Sequence, residues 1–322
     1  MLTAVYGSLE AGLIYAIMAL GVYLSFRILD FPDLTVDGSF VTGAAVAAVM
    51  IIDGAHPVMA TIAGMIVGFL AGILTGILHS YGKINPLLSG ILMMIALYSI
   101  NLRIMGKSNV SLLQEETLFS KLADALAPID QAVKSVISFS PTTWSVIISM
   151  VLLVAFLKLI LDYFLKTEIG LAIRAVGDNE EMVKSFSANT NFLKVLGLGL
   201  SNGLVALSGA LVAQYNGFSD ANMGIGMIVI GLASVIIGEA IVGSKTIVRA
   251  TLAVIIGAVI YRFIVAFAFR FNFFETGDIK LITACIVILA LIIPRYFEKR
   301  REKKRKLVRK RGEQVASAKT HS

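Results

Sequence analysis

"GMIVGFLAGILTGILHS", residues 64–80, decides the fold class. Not one Asp, Glu, Lys or Arg interrupts it, and Gly64, Gly68, Gly72 and Gly76 recur at every fourth position. Joined to the apolar residues before it, the run reaches the ~20 residues that a helix needs to cross a bilayer. A period of four places the glycines on one flat helix face, which predicts close packing against a neighbouring helix. The alternation of period two that marks a barrel strand is missing here and along the rest of the chain.

The rest of the sequence repeats this pattern. Of 322 residues, 57% are hydrophobic and 15% charged, a balance that excludes a water-soluble globular chain. Length and hydropathy predict spans near 5–26, 36–52, 57–79, 86–101, 143–165, 192–214, 224–242, 250–268 and 279–296, an all-α polytopic transmembrane bundle of about 8–10 spans, some of them broken. The transmembrane domain is expected over 1–296, followed by a basic tail, 297–322.

The formal charge of +7 belongs to that tail: from Arg295 to Ser322 there are twelve Lys or Arg against three Asp or Glu, and the remainder holds sixteen basic and eighteen acidic residues. A basic run directly after an apolar span is the positive-inside signal, so the C-terminus is expected in the cytoplasm, with anionic lipid rather than nucleic acid as its contact. Counting spans back puts 166–191 in the cytoplasm, and 102–142 and the N-terminus outside. Lys158, Lys166, Lys245 and Arg249 then flank cytoplasmic ends. The opening stretch carries Glu10 and no basic run ahead of its apolar residues, so it is expected to be the first span and not a cleaved signal.

Chemistry has few candidates. Cys285 is the single cysteine, which rules out an internal disulfide, and the three histidines show no metal-ligand spacing, so no catalytic or metal site is expected. No GxxxxGK[ST] motif is present, so this chain has no P-loop for ATP.

The polar island "AIRAVGDNEEMVKSFSANTN" (172–191) is therefore conspicuous. Asp178 or Asn179 can cap a helix whose first turn carries Glu180 and Glu181, with Met182, Val183 and Phe186 expected along one side. Such a helix either lies on lipid or enters a groove in a partner, and its acidic residues disfavour an anionic leaflet.

With "GLASVIIGEAIVGS" (231–244) downstream, the stretch from Gly170 to Gly217 resembles the permease subunits of ATP-binding-cassette importers of the branched-chain amino acid, ribose and nucleoside type. Arg174, Ala175, Gly177 and Asn179 match the family's cytoplasmic loop, while Ser187-Ala188-Asn189 departs from its usual Gly-Ile/Val-Asn/Asp ending. The resemblance implies a coupling helix in 166–191, with Arg174, Gly177, Asp178, Asn179, Glu180, Met182, Val183 and Phe186 as ATPase-coupling residues. It also implies a cytoplasmic ATPase partner that uses ATP and Mg, an extracytoplasmic substrate-binding protein, a second permease copy in a homodimer, and a bacterial inner-membrane location. No cofactor is expected on this chain itself.

"SFRILDFPDLTVDGSFVTGA" (25–44) extends the resemblance, its Asp33-to-Gly38 run standing where sugar permeases carry Asp-Leu-Ser-Val-Gly. Pro32 and Gly38 are expected to break a helix there, and irregular backbone at membrane depth is tolerated where it lines a cavity or is covered by protein. Asp33, Asp37 and Ser39 are candidates for the substrate path, or equally for capping the broken helix and pairing with Arg27. Asn85, Ser89 and Asn101 are path candidates on the same footing, with helix–helix hydrogen bonding as their other reading. The segment is most similar to permeases of aromatic amino acid importers (tryptophan or tyrosine); a branched-chain amino acid, sugar, nucleoside or vitamin is the alternative cargo. An ion-gradient-driven secondary transporter is the alternative mechanism, although no repeat relates 1–140 to 143–296.

Overall fold

A computed structural model describes residues 2–127 and 144–268, together with isolated positions between 281 and 288. The expected ninth span, the basic tail and residues 128–142 of the segment 102–142 lie outside the described residues, apart from those isolated positions.

Helix α1, Leu2–Tyr23, runs into a π-helical turn, Leu24–Ile28. Next come α2 (Thr35–Ile52), α3 (Pro57–Ser80), α4 (Pro86–Met105), strand β1 (Asn109–Ser111) and the short helix α5 (Leu118–Ala125). Beyond the undescribed segment lie α6 (Trp144–Phe164), α7 (Glu168–Asp178), α8 (Glu180–Ser185) and α9 (Thr190–Asn216). Strand β2 (Phe218–Asp220), α10 (Met227–Val242) and α11 (Ile247–Ala268) complete the order. Seven of these helices are long and apolar enough to cross a membrane, and α10 is a shorter apolar helix. Seven expected spans are present at their expected places among the described residues, and the span expected over 224–242 is the shorter α10.

Sequence chemistry explains the ends. His56 and Asn85 accept hydrogen bonds from the backbone N–H groups of Val58 and Leu87, and each precedes a proline at the first helical position of α3 or α4, where the missing N–H costs nothing. Gly106 and Gly217 end α4 and α9 in the left-handed conformation.

The buried centre is built from α1, α2 and α9. The glycine face of α3 meets α9: a methyl group on Gly68 or Gly72 would collide with Ala206 or with the carbonyl oxygen of Leu198. The opposite face of α3 exposes Met59, Ile62, Ile66, Leu70, Leu74 and Ile77, an apolar stripe at helical spacing suited to lipid. In the interior, Lys158 pairs with Asp162, which also accepts from Thr251 Oγ1 at 2.6 Å and so ties α6 to α11. Paired charge of this kind is what a low-dielectric surrounding tolerates.

One correction concerns 25–44. The backbone does break, but before α2. Leu29 N–H bonds five residues back to Leu24 at 3.1 Å, Asp30 is left-handed with φ 51°, and Pro32 disfavours helix at Phe31. Gly38 does not break the helix; it lies inside the first turns of α2, where its missing side chain leaves room for Leu97 of α4.

At one end of the bundle β1 and β2 pair antiparallel, Val110 opposite Ser219. The loop and helices between α6 and α9 occupy the other end. This ribbon is the only strand pairing among the described residues.

Candidate functional site

The polar island folds as two helices in sequence. Thr167 caps α7, its Oγ1 accepting from Gly170 N–H at 3.3 Å, with Glu168 in the first turn. Sequence reasoning missed α7, although this cap and acid are legible as a helix start. Ile173 and Val176 bury one face of α7 against Leu29, Phe31, Leu193 and Leu198. Gly177 permits the approach, since a methyl group there would collide with the carbonyl oxygen of Ile28.

Asn179 then opens α8, its side chain accepting from Met182 N–H at 3.0 Å; Asp178 is the last residue of α7. Glu180 and Glu181 fill the first turn of α8 as expected. The expected shared apolar side is corrected. Val183 is only 5% exposed and packs into the cluster beneath α7, while Met182 and Phe186 are 45% and 76% exposed. Met182 and Phe186 are separated by about one helical turn, whereas Val183 is offset by about 100°.

Charge anchors α8 to the bundle. Glu180 lies 2.7 Å from Lys194 on α9 and 3.3 Å from Lys184. Partial burial pushes the Glu180 carboxyl up, but these two ammonium groups outweigh it and hold it below its ordinary value. Lys194 also lies 3.3 Å from His79 Nε2, and His79 Nδ1 is 2.8 Å from the carbonyl oxygen of Ile84. That carbonyl requires a proton on Nδ1, leaving Nε2 to accept from Lys194. Beside α7 is a polar groove of about 630 Å³ lined by Arg27, Asp30, Arg174, Gly177 and Asp178. Arg27 pairs with Glu239 of α10, its Nε donating to Oε1 at 3.0 Å, and not with Asp33 or Asp37.

The six candidate path residues separate into two groups. Asp33 is fully buried, accepting from Asn202 Nδ2 at 2.6 Å and from the N–H of Thr35, the first residue of α2, at 2.9 Å, so it ties the start of α2 to α9. Ser39 is fully buried, Asn85 caps α4, and Ser89 donates to the carbonyl of Pro86 at 2.8 Å. Asp37 and Asn101, in contrast, line one cavity of about 370 Å³ between α2, α4 and the loop after β2, together with Val41, Met94, Tyr98 and Ile225. The Asp37 carboxylate accepts from the N–H groups of Gly226 at 2.9 Å and Ile228 at 2.8 Å, capping α10 from a different helix. Asn101 donates to the carbonyl of Gly38 at 3.2 Å. Tyr98, Glu239, His79 and Lys194 were not anticipated; an acid inside an apolar run, as at Glu239, is the signal that could have flagged one of them.

Residues 5–293 match the family described as the branched-chain amino acid transport system permease component. The chain is 43% identical over 293 residues to a tyrosine transport system permease protein of Clostridioides difficile (strain R20291), covering 90% of this chain and 91% of that one. It is also 34% identical over 288 residues to an uncharacterised protein of Rickettsia prowazekii (strain Madrid E), covering 88% of this chain and 95% of that one. No solved structure matches the chain.

Proposed function

Because the chain belongs to the permease family of branched-chain amino acid transport systems, we propose that it is the membrane subunit of an ATP-binding-cassette importer whose cargo is an aromatic amino acid, tyrosine foremost. The observation that carries the coupling role is α8, which projects Met182 and Phe186 outward while Val183 and Glu180 hold it to the bundle. Exposed apolar side chains on a rigidly anchored polar element are suited to a groove in a partner. That partner is a cytoplasmic ATPase using ATP and Mg, while a substrate-binding protein delivers cargo at the ribbon end.

The sidedness follows from charge. Lys83, Lys166, Arg174, Lys184, Lys245 and Arg249 gather at the α7–α8 end, which supports a cytoplasmic location for it. The chain then acts in a bacterial inner membrane as a non-catalytic subunit, with its basic tail on the cytoplasmic side.

The test is reconstitution in vesicles with the ATPase and binding protein. Tyrosine uptake should require ATP, and the purified chain alone should hydrolyse none. Hydrolysis by the chain alone, or uptake abolished by an ionophore while independent of ATP, overturns the reading.

A further inference from the structure

We propose that the cavity between α2 and α4 is an entry-side subsite that recognises the primary ammonium group of the substrate, with Asn101 Oδ1 and the Asp37 carboxylate as acceptors and Tyr98 against its apolar body. This inference rests on reading the chain as an amino acid permease.

The cavity sits near the ribbon end. Asn101 is four residues from the last residue of α4, roughly 6 Å along the axis, and the wall opposite is made by Ala221, Gly224 and Ile225 just beyond β2. A substrate released outside meets it before any deeper part of the bundle. Its lining is apolar apart from Asp37, Tyr98, Ser99 and Asn101. Asn101 is 1% exposed, and its Oδ1 has no hydrogen-bond partner among the described residues. The amide orientation is fixed by the other end, because Nδ2 must face the carbonyl of Gly38. A buried acceptor without a partner carries a full desolvation penalty, which an arriving donor relieves.

Asp37 adds a second acceptor. Gly226 and Ile228 donate their N–H groups to its two oxygens, Met227 N–H adds a further bond, and the carboxyl oxygens retain acceptor capacity beyond these. No Lys or Arg lines the cavity, so no cation there favours a substrate carboxylate over its ammonium group. A lipid tail offers no donor to Asn101 Oδ1 and leaves both acceptors desolvated. Met94, Ile95 and Tyr98 provide an apolar wall, and a volume of about 370 Å³ admits one aromatic ring with its ammonium arm.

The test separates the two ends of tyrosine. Radiolabelled tyramine, which keeps the amine and lacks the carboxylate, is titrated against the full-length chain in phosphatidylcholine nanodiscs. 3-(4-Hydroxyphenyl)propionate, which keeps the carboxylate and lacks the amine, serves as competitor. Tyramine should bind, the acid should not compete, and Asn101→Leu should weaken tyramine by about ten- to a hundredfold. Ile225→Trp, which fills the cavity from an exposed position without touching the Asn101–Gly38 bond, should abolish binding in a protein that remains monodisperse. Absence of tyramine binding, equal competition by the acid, or wild-type affinity in both variants overturns the proposal. Displacement of tyramine by added phosphatidylethanolamine also overturns it, reassigning the pocket to a lipid headgroup. Tyrosine uptake by the reconstituted importer is scored separately. Asn101-dependent tyramine binding without any aromatic amino acid uptake removes the functional reading and leaves the subsite; uptake with Asn101-independent binding removes only the subsite.

Discussion

Gly177 shows how one residue connects motif to geometry. It stands in the Arg-Ala-x-Gly run because α7 rests on the carbonyl oxygen of Ile28, leaving no space for a side chain. Gly177→Ala should therefore lower stability by about 1–3 kcal/mol, measurable as a reduced melting temperature in detergent, because the backbone of a π-turn cannot easily yield. Glu180 gives a pH prediction at the same scale. Its folded pKa lies below the ordinary carboxylate value, so its anchoring of α8 is complete above that ordinary value and is lost as pH falls through the lower one. Accessibility of a thiol introduced at the buried position by Val183→Cys should stay flat from about pH 8 to about pH 5 and rise only under stronger acid. Glu180→Gln should remove that acid dependence.

Among elements, α8 offers the sharpest division of labour. Met182→Asp and Phe186→Asp alter exposed side chains, so the permease should insert normally yet lose its ATPase, with several kcal/mol of docking removed by lost burial and an unpaired charge. Val183→Asp places its charge among Ile173, Val176 and Leu193 and should instead destabilise the chain itself. Co-purification of the ATPase, measured beside detergent melting, distinguishes the two outcomes; retention of the ATPase by both surface variants would remove α8 as the docking element. The packing of α3 on α9 is equally specific. Gly68→Leu should prevent assembly of the bundle, seen as loss of monodisperse protein, because the bulk would fall on Ala206 and the backbone of Asn202.

For the molecule as a whole, the proposed drive by a pair of ATPases implies two coupling helices and hence two permease copies related by twofold symmetry. Native mass measurement of the assembled importer should give two copies of this chain, and a single copy would contradict the proposed assembly. The short helix α5, with Thr117 as its cap, stands at the ribbon end beside Gln214, whose Oε1 accepts from Leu118 N–H at 2.9 Å. That placement suits a contact with the proposed substrate-binding protein. Reversing charge at Glu115 and Glu116 should reduce binding-protein stimulation of ATP hydrolysis while leaving basal hydrolysis unchanged.

The sequence alone determined what depends on local composition and period. Apolar runs of bilayer length fixed the helical class and the places of the spans, and a glycine at every fourth residue of α3 announced a packed face. Asn179 was legible as a cap because capping requires only residues within one turn. Tertiary structure decided whatever depends on which distant residue stands opposite. Asp33 and Asp37, four positions apart and alike in sequence, part company because one turns to Asn202 on α9 and the other caps α10 beside an open cavity. Val183 left the face expected of it because α7, unseen in the sequence, buries that side of α8. Gly38 stayed helical because Leu97 of α4 fills the space where its side chain would be, a contact between residues 59 positions apart that no local pattern encodes.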